Sequence, residues 1–486
     1  MDILFASSEA HPLVKTGGLA DVAGSLPRAI RNLRHDIRII IPAYQQILQQ
    51  ADNLTLVAHL QLEGVDTPVR LLAGRLPGST VKIYLVDSPV HFDRPGNPYT
   101  ASGGAPWPDN AARFTTFCRA IQAVAENTAG LDWQPQFIHC NDWQTGLVPP
   151  LLAPQAQRPA TVFTIHNLAY QGLFDWDTFE ALNLPTDFWS MEAMEFHDHF
   201  SFIKGGLVFA DWLTTVSPTY AGEIQTAEFG YGLEGLISHR KHNLTGIVNG
   251  VDYSVWNPGR DTQIPVQYSQ RCLFHKTENK RALQEHFGLP VDNSRPLFAV
   301  ISRLVEQKGI DLILEIVPEL VAVDAQLVIL GSGDPLIESA IGKASSEWPL
   351  HIAAFLGYDE ALAHHIEAGA DIFLMPSRFE PCGLNQIYSQ RYGTVPIVRH
   401  TGGLADTVTD TTPETLENNT ATGFSFTTAT AASLLAAVTR TLQYYRDPES
   451  WQQLMSNGMK QDFSWKRSAE QYLDLFEKVL ANRKNG

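Results

Sequence analysis

Short, continuous apolar runs alternate with longer helical patterns along almost the whole chain, and this alternation restricts the fold more than any other feature. The runs are 3–6, 37–41, 137–139, 162–165 and 213–216 in the first half, and 297–301, 327–330, 352–355, 372–375 and 395–398 in the second. Several are apolar throughout instead of alternating with polar residues, which marks parallel strands covered by helices on both faces. Strand–helix alternation sustained over the chain predicts doubly wound α/β sheets. The stretch 251–265 is rich in turn formers and has no period, so it divides the chain into halves. The predicted division is a domain over 1–250, a domain over 251–463 and a helix over 464–486. In that helix Ser464 is a candidate N-cap, and Trp465, Ala469, Tyr472, Leu473, Phe476, Val479 and Leu480 form one apolar stripe. The stripe needs a partner surface, on its own half or on the first.

A second constraint is a repeated hexapeptide. Residues 16–21 and 401–406 both read Thr-Gly-Gly-Leu-Ala-Asp, one copy per half, and each sits shortly before a helical pattern. Paired glycines let a backbone turn tightly and approach a ligand closely. Free N–H groups at a helix start then face an anion. One such copy is as well explained as a plain strand-to-helix turn; two identical copies favour a ligand. Ligands of open α/β sheets bind beyond the carboxyl ends of strands, so two such halves facing each other across a central cleft can share one.

Composition limits what that ligand is. The net charge of −17 argues against a nucleic-acid partner, so an anionic ligand requires cations gathered locally. Lys15 precedes the first hexapeptide. Arg303 and Lys308 follow the run 297–301, where a bidentate fork and a compact charge can converge on one diphosphate. Glu380 follows the run 372–375, in Arg378-Phe-Glu-Pro-Cys382-Gly-Leu, where a carboxylate can bond sugar hydroxyls or cap a helix; Cys382 reads as a packed thiol. His166 follows the run 162–165 and is as readily structural as functional. Asp142 follows 137–139 and reads equally as a sugar or acceptor contact and as a helix cap. Gly331-Ser-Gly333 is a weak signal alone. The cysteines Cys118, Cys140, Cys272 and Cys382 are far apart and match no disulfide framework or zinc site. The expectation is a cytoplasmic protein with reduced thiols, no signal peptide and no membrane span.

Lys15-Thr-Gly-Gly-Leu, Arg303 with Lys308, Glu380-Pro-Cys-Gly-Leu and Thr401-Gly-Gly-Leu together resemble the bacterial glycogen synthase and plant starch synthase family, over essentially the whole chain. The resemblance implies the GT-B fold, two Rossmann-like domains with the C-terminal helix crossing back to the first. It implies a glucosyltransferase that extends an α-1,4-glucan primer such as glycogen from ADP-glucose, releasing ADP with retention at the anomeric carbon. No metal and no pyridoxal phosphate are implied. Lys15, Arg303 and Lys308 match residues around the diphosphate. The backbone of Thr401, Gly402 and Gly403 matches a phosphate-cradling loop, and Gly18 lies in the matching loop of the first half. Glu380, His166 and Asn249 match donor-glucose contacts, and Tyr358 matches a stacker on adenine. Asp142, together with Asp21 of the first hexapeptide, falls on the acceptor side. Arg303, Lys308, Glu380 and His166 form the expected catalytic set.

Many wider relatives carry Glu-x7-Glu. Here the eighth position after Glu380 is Tyr388, as in the glycogen and starch synthases. No residue stands out as a carboxylate nucleophile for a double-displacement route, so the expected route is same-face attack with the leaving phosphate as base. The rivals are a transferase for another nucleotide-sugar, a glucan phosphorylase carrying pyridoxal phosphate, and a non-enzymatic glucan binder.

Overall fold

The computed structural model describes residues 1–50, 53–101 and 104–485. It has two units. The first comprises Met1–Val216, Ala221–Gly250 and Trp465–Gly486, and the second Ser217–Tyr220 and Val251–Ser464.

The first unit is built on a nine-stranded sheet in the order Leu244–Gly246, Trp212–Thr215, Ala160–Ile165, Phe137–Asn141, Asp2–Ala6, Asp36–Pro42, Lys82–Asp87, Val69–Arg75 and Thr55–Leu60. The seven strands from Leu244–Gly246 to Lys82–Asp87 run parallel, and the last two close the edge as an antiparallel hairpin. The central strands are buried along their length, Phe137–Asn141 and Ala160–Ile165 completely, which is why they read as unbroken apolar runs. Thr55–Leu60 is largely exposed, carries no such run, and escapes the sequence reading. The strand order turns around Asp2–Ala6: later strands add on one side as far as Lys82–Asp87 and on the other from Phe137–Asn141 onward. The helix Trp465–Asn485 packs its apolar stripe in this unit. Phe476 stacks on Phe137 at 4.4 Å, and Tyr472 lies 5.2 Å from the His139 ring.

The second unit holds six parallel strands in the order Ile352–Leu356, Gln326–Gly331, Leu297–Ile301, Ile372–Met375, Val395–Arg399 and Phe424–Phe426. This is the doubly wound order with its turning point beside the first strand, between Leu297–Ile301 and Ile372–Met375. Its core on one face gathers Val300, Ile310, Ile313, Leu327, Ile329, Leu374 and Ile397. The turn-rich stretch after Gly250 is anchored here. Trp256 stacks on His364 at 3.8 Å and on Tyr388 at 4.0 Å, and Asp261 accepts from the Tyr392 hydroxyl at 2.5 Å and lies 2.7 Å from His364 Nδ1. Tyr388, the residue that departs from Glu-x7-Glu, is thus a packing partner of this anchor.

Candidate active site

The loops at the carboxyl ends of the two turning-point strands of the second unit are joined to each other. Gln307 accepts the Arg378 N–H at 2.8 Å through its carbonyl and donates its side-chain amide to the Phe379 carbonyl at 3.1 Å. Arg378 forks onto Asp311 at 2.8 and 2.6 Å, and this pairing raises the Arg378 pKa further. Gly309 takes φ +67°, and a Cβ there would stand 2.3 Å from the Pro376 carbonyl oxygen; only glycine lets the turn after Lys308 lie against the second loop. The pair Gly331 and Gly333, a weak motif in the sequence, has a similar role. A Cβ would meet the Ser302 oxygen at 2.0 Å and the Leu304 oxygen at 2.3 Å, so these glycines set the path of the segment bearing Arg303.

This framework brings Arg303, Lys308 and Glu380 to one place. Lys308 Nζ is ion-paired with Glu380 Oε2, and Ser377 Oγ donates to the same oxygen at 3.1 Å. Glu380 is buried. Arg303 is exposed and reaches Gln307 Oε1 at 3.2 Å. Lys308 paired with a buried carboxylate, with Arg303 held on the adjacent Gln307, suits an anion with attached hydroxyls.

The second hexapeptide lies under Glu380. Gly402 has φ +43°, and a Cβ on it would stand 2.0 Å from the Glu380 oxygen; a Cβ on Gly403 would stand 2.1 Å from the Cys382 oxygen. The Gly403 N–H donates to the Glu380 and Pro381 carbonyls, both at 3.1 Å, and the Thr401 N–H to Arg399 at 2.9 Å. These two amides of the expected phosphate cradle are therefore engaged within the protein, and the helix that follows, Gly402–Thr407, is short. The amides of Leu384 and Asn385, at the start of the helix Asn385–Arg391, have no acceptor among the described residues. The Asn385 side chain ties that start to the Ile301 carbonyl at 2.6 Å, one residue before Ser302. Cys382 is buried. Tyr358 stands apart, after the strand Ile352–Leu356, with a highly exposed ring and its hydroxyl 3.2 Å from Glu360.

In the first unit the hexapeptide is held differently. The carboxylate of Glu9, 2% exposed, accepts from Thr16 N at 2.5 Å, Thr16 Oγ1 at 2.9 Å and the Tyr99 hydroxyl at 3.2 Å. Burial raises its pKa against these donors and the Gly17 amide. A Cβ on Gly17 or Gly18 would meet nothing within 4 Å. Lys15 Nζ lies 2.8 Å from Asp21 Oδ1, the last residue of the same hexapeptide. The matching Asp406 instead accepts from Thr219 Oγ1 at 2.6 Å, within the second unit.

Asp142 and His166 meet at the ends of neighbouring strands. Asp142 Oδ1 accepts the His166 N–H at 2.7 Å, and His166 Nε2 faces Asn141 Oδ1 at 2.9 Å. Burial lowers the His166 pKa to about 3, so its ring is neutral at pH 7. Asp142 has φ +57° and ψ 179°, a region that only glycine adopts freely and that clusters at functional sites. Burial raises its carboxyl pKa to about 7, against the pull of the His166 and Asn167 amides. Asn249 follows the edge strand Leu244–Gly246, and its Oδ1 is buried without a partner among the described residues, as a side chain aimed at a ligand is.

The raised Asp142 pKa carries a stability prediction. The folded carboxyl keeps its proton to about pH 7, whereas the ordinary value is 3.8. Between those values the folded state binds more protons than the unfolded chain. The stabilising contribution is full below the lower value and is lost as pH rises through the upper one. Asp142→Asn removes this dependence. Thermal melts should show the variant gaining on the parent chain as pH rises from about 5 to about 8; a gap that does not move with pH contradicts the assignment.

Comparison with known proteins places these features. Residues 2–239 match the family model of the starch synthase catalytic domain, and residues 282–460 match glycosyl transferases group 1. With two doubly wound units, that defines a glycosyltransferase of the GT-B class. Glycogen synthase 2 of Nitrosococcus oceani is 55% identical over 479 residues, covering 99% of this chain and 97% of the relative. Glycogen synthase 1 of Methylococcus capsulatus is 53% identical over 100% of this chain and 98% of its own length. A solved catalytic domain of starch synthase IV from Arabidopsis thaliana, bound to ADP and acarbose, aligns with a TM-score of 0.88 at 34% identity, covering 99% of both chains. The chain belongs to the glycogen and starch synthase family.

Proposed function

We propose that the chain extends α-1,4-glucan from ADP-glucose with retention, and that the cations at the turning point of the second unit drive the departure of ADP. The observation that carries this is the cluster of Arg303, Lys308 and Glu380 on two cross-linked loops. Arg303 and Lys308, with Lys15 from the first unit, bind the diphosphate. Negative charge grows there as the glycosidic bond breaks, so fixed cations stabilise the transition state more than the ground state. Glu380 orients Lys308 and receives glucose hydroxyls. The loop of Thr401, Gly402 and Gly403 lines the phosphate, and the same loop holds the Glu380 segment in place.

Tyr358 offers its exposed ring to adenine. His166 is neutral and, with Asn249, contacts the donor glucose. Gly18 leaves room for the donor beside the first hexapeptide. Asp142 and Asp21 belong to the acceptor side. As the sugar gains oxocarbenium character, the acceptor hydroxyl attacks from the face that ADP leaves. Its proton passes to the departing phosphate oxygen, so one bond breaks, one forms and retention follows. Glycogen is the proposed primer and the cytoplasm the proposed compartment. Among the described residues no helix is long and apolar enough to cross a membrane, and no group of three or more His, Cys, Asp or Glu is placed to hold a metal.

Purified protein mixed with a glycogen primer and EDTA should release ADP from ADP-glucose much faster than UDP from UDP-glucose. A UDP-glucose preference, or activity that EDTA abolishes and magnesium or manganese restores, contradicts the proposal.

A further inference from the structure

We propose that Glu9 is a positioning residue for the donor, its buried carboxylate holding the segment 15–18 in the conformation that presents Lys15. The inference rests on the reading in which Lys15 meets the donor diphosphate.

Glu9 lies three residues beyond the strand Asp2–Ala6, at the turning point of the first sheet. It is almost wholly buried, yet no cation pairs with it among the described residues. A buried carboxylate without a cation is costly unless several donors satisfy it. Those donors come from two places. Thr16 gives its amide and hydroxyl, and Gly17 its amide, from the two residues that separate Lys15 from Gly18. Tyr99 gives its hydroxyl to the other carboxylate oxygen and is itself 2.8 Å from Ser8 Oγ.

The two hexapeptides are held in place by different means. The second copy is locked by shape, since its glycines lie against backbone carbonyls with no space for a Cβ. The first copy has open space at both glycine Cβ positions. Nothing sterically equivalent fixes it, so its path depends on the hydrogen bonds it makes from its inner side to Glu9. The helix Gly18–Asn32 has Gly17 as its N-cap, with no capping side chain of its own. Glu9 does not cap that helix; it accepts from Thr16 and Gly17, the residues that lead into it, and so fixes the path by which the chain enters the helix. A small shift there moves the whole length of the Lys15 side chain.

A purely structural tie would lower stability regardless of what Lys15 does. Steady-state kinetics of Glu9→Gln, Lys15→Ala and the double variant separate the two roles, with thermal melts alongside. Glu9→Gln keeps the size of the side chain and puts a donor where an acceptor stood. It should raise the KM for ADP-glucose about 10-fold when Lys15 is present and less than about 2-fold in the Lys15→Ala background, with the primer KM unchanged, since coupled residues are non-additive. Equal effects in both backgrounds, or no change in KM with Lys15 present, overturn the proposal. If Lys15→Ala itself leaves KM and kcat for ADP-glucose unchanged, the donor reading fails first and the proposal with it. Should Glu9→Gln not fold, Tyr99→Phe removes one donor and keeps the Thr16 bonds. It should raise the KM about 2- to 3-fold, again only with Lys15 present, and an effect independent of Lys15 overturns the proposal in the same way.

Discussion

Lys308→Ala lowers kcat with ADP-glucose by about 10²- to 10³-fold, the loss seen when one preorganised donor to a developing oxyanion is removed. Two effects combine. The leaving diphosphate loses a fixed charge, which is felt mostly in the transition state and so appears in kcat more than in KM. Glu380 also loses its ion-pair partner and keeps only the Ser377 hydroxyl at 3.1 Å among the contacts described above. Removing one member of a buried pair costs about 3–5 kcal/mol when both are deeply buried. Lys308 is 16% and Glu380 9% exposed at the side chain, so the variant should also melt at a lower temperature. Lys308→Arg restores the charge but spreads it over a planar fork, so it should recover stability better than turnover. The decisive reading is kcat from steady-state kinetics at saturating ADP-glucose. Wild-type kcat in Lys308→Ala removes the cation from the mechanism.

Gly402→Ala should be the most damaging single-methyl change in either hexapeptide. Its Cβ would stand 2.0 Å from the Glu380 carbonyl oxygen, and the backbone sits at φ +43°. Overpacking and an unfavourable backbone region each cost about 1–3 kcal/mol, and the atom that must yield belongs to the peptide of Glu380. Both stability and turnover should fall. Gly18→Ala places its methyl in open space within the protein, so its melting temperature should stay near that of the parent chain. Any loss it shows should appear in the KM for ADP-glucose. Parallel melts and kinetics of the two variants check this; equal destabilisation at Gly18 and Gly402 contradicts the contrast between the copies.

The sequence exposes most of those parts of the fold whose residues are buried on both sides, although the buried parallel strand Lys82–Asp87, apolar from Ile83 to Val86, is missing from the ten runs. The ten apolar runs all fall on observed strands, with 213–216 running one residue past the end of Trp212–Thr215, because a parallel strand covered on both faces shows its burial as hydrophobicity. The edge hairpin Thr55–Leu60 and Val69–Arg75 and the three-residue strands Leu244–Gly246 and Phe424–Phe426 give no such signal: they are partly exposed or too short for a period. Arg303, Lys308 and Glu380 were legible because a charge just past the end of an apolar run stands out. Their supports were not. Gln307, Arg378 and Asp311 look like ordinary surface polar residues until the loops they join are side by side. In sequence the hexapeptides already differ in that Lys15 precedes only the first; three-dimensional packing adds that the second is wedged under Glu380 and the first tied to Glu9. Glu9 did leave a trace, as a lone acid between the apolar stretches Ile-Leu-Phe-Ala and Pro-Leu-Val. Nothing in the sequence said that Tyr99, ninety residues on, would meet it.

The central claim is same-face transfer of glucose from ADP-glucose onto an α-1,4-glucan. Its most direct test is NMR of the product formed by the full chain from ADP-glucose and a maltoheptaose primer. The predicted result is one new α-1,4-linked glucose at the non-reducing end for each ADP released. A β-linked glucose, or release of ADP without growth of the primer, contradicts it.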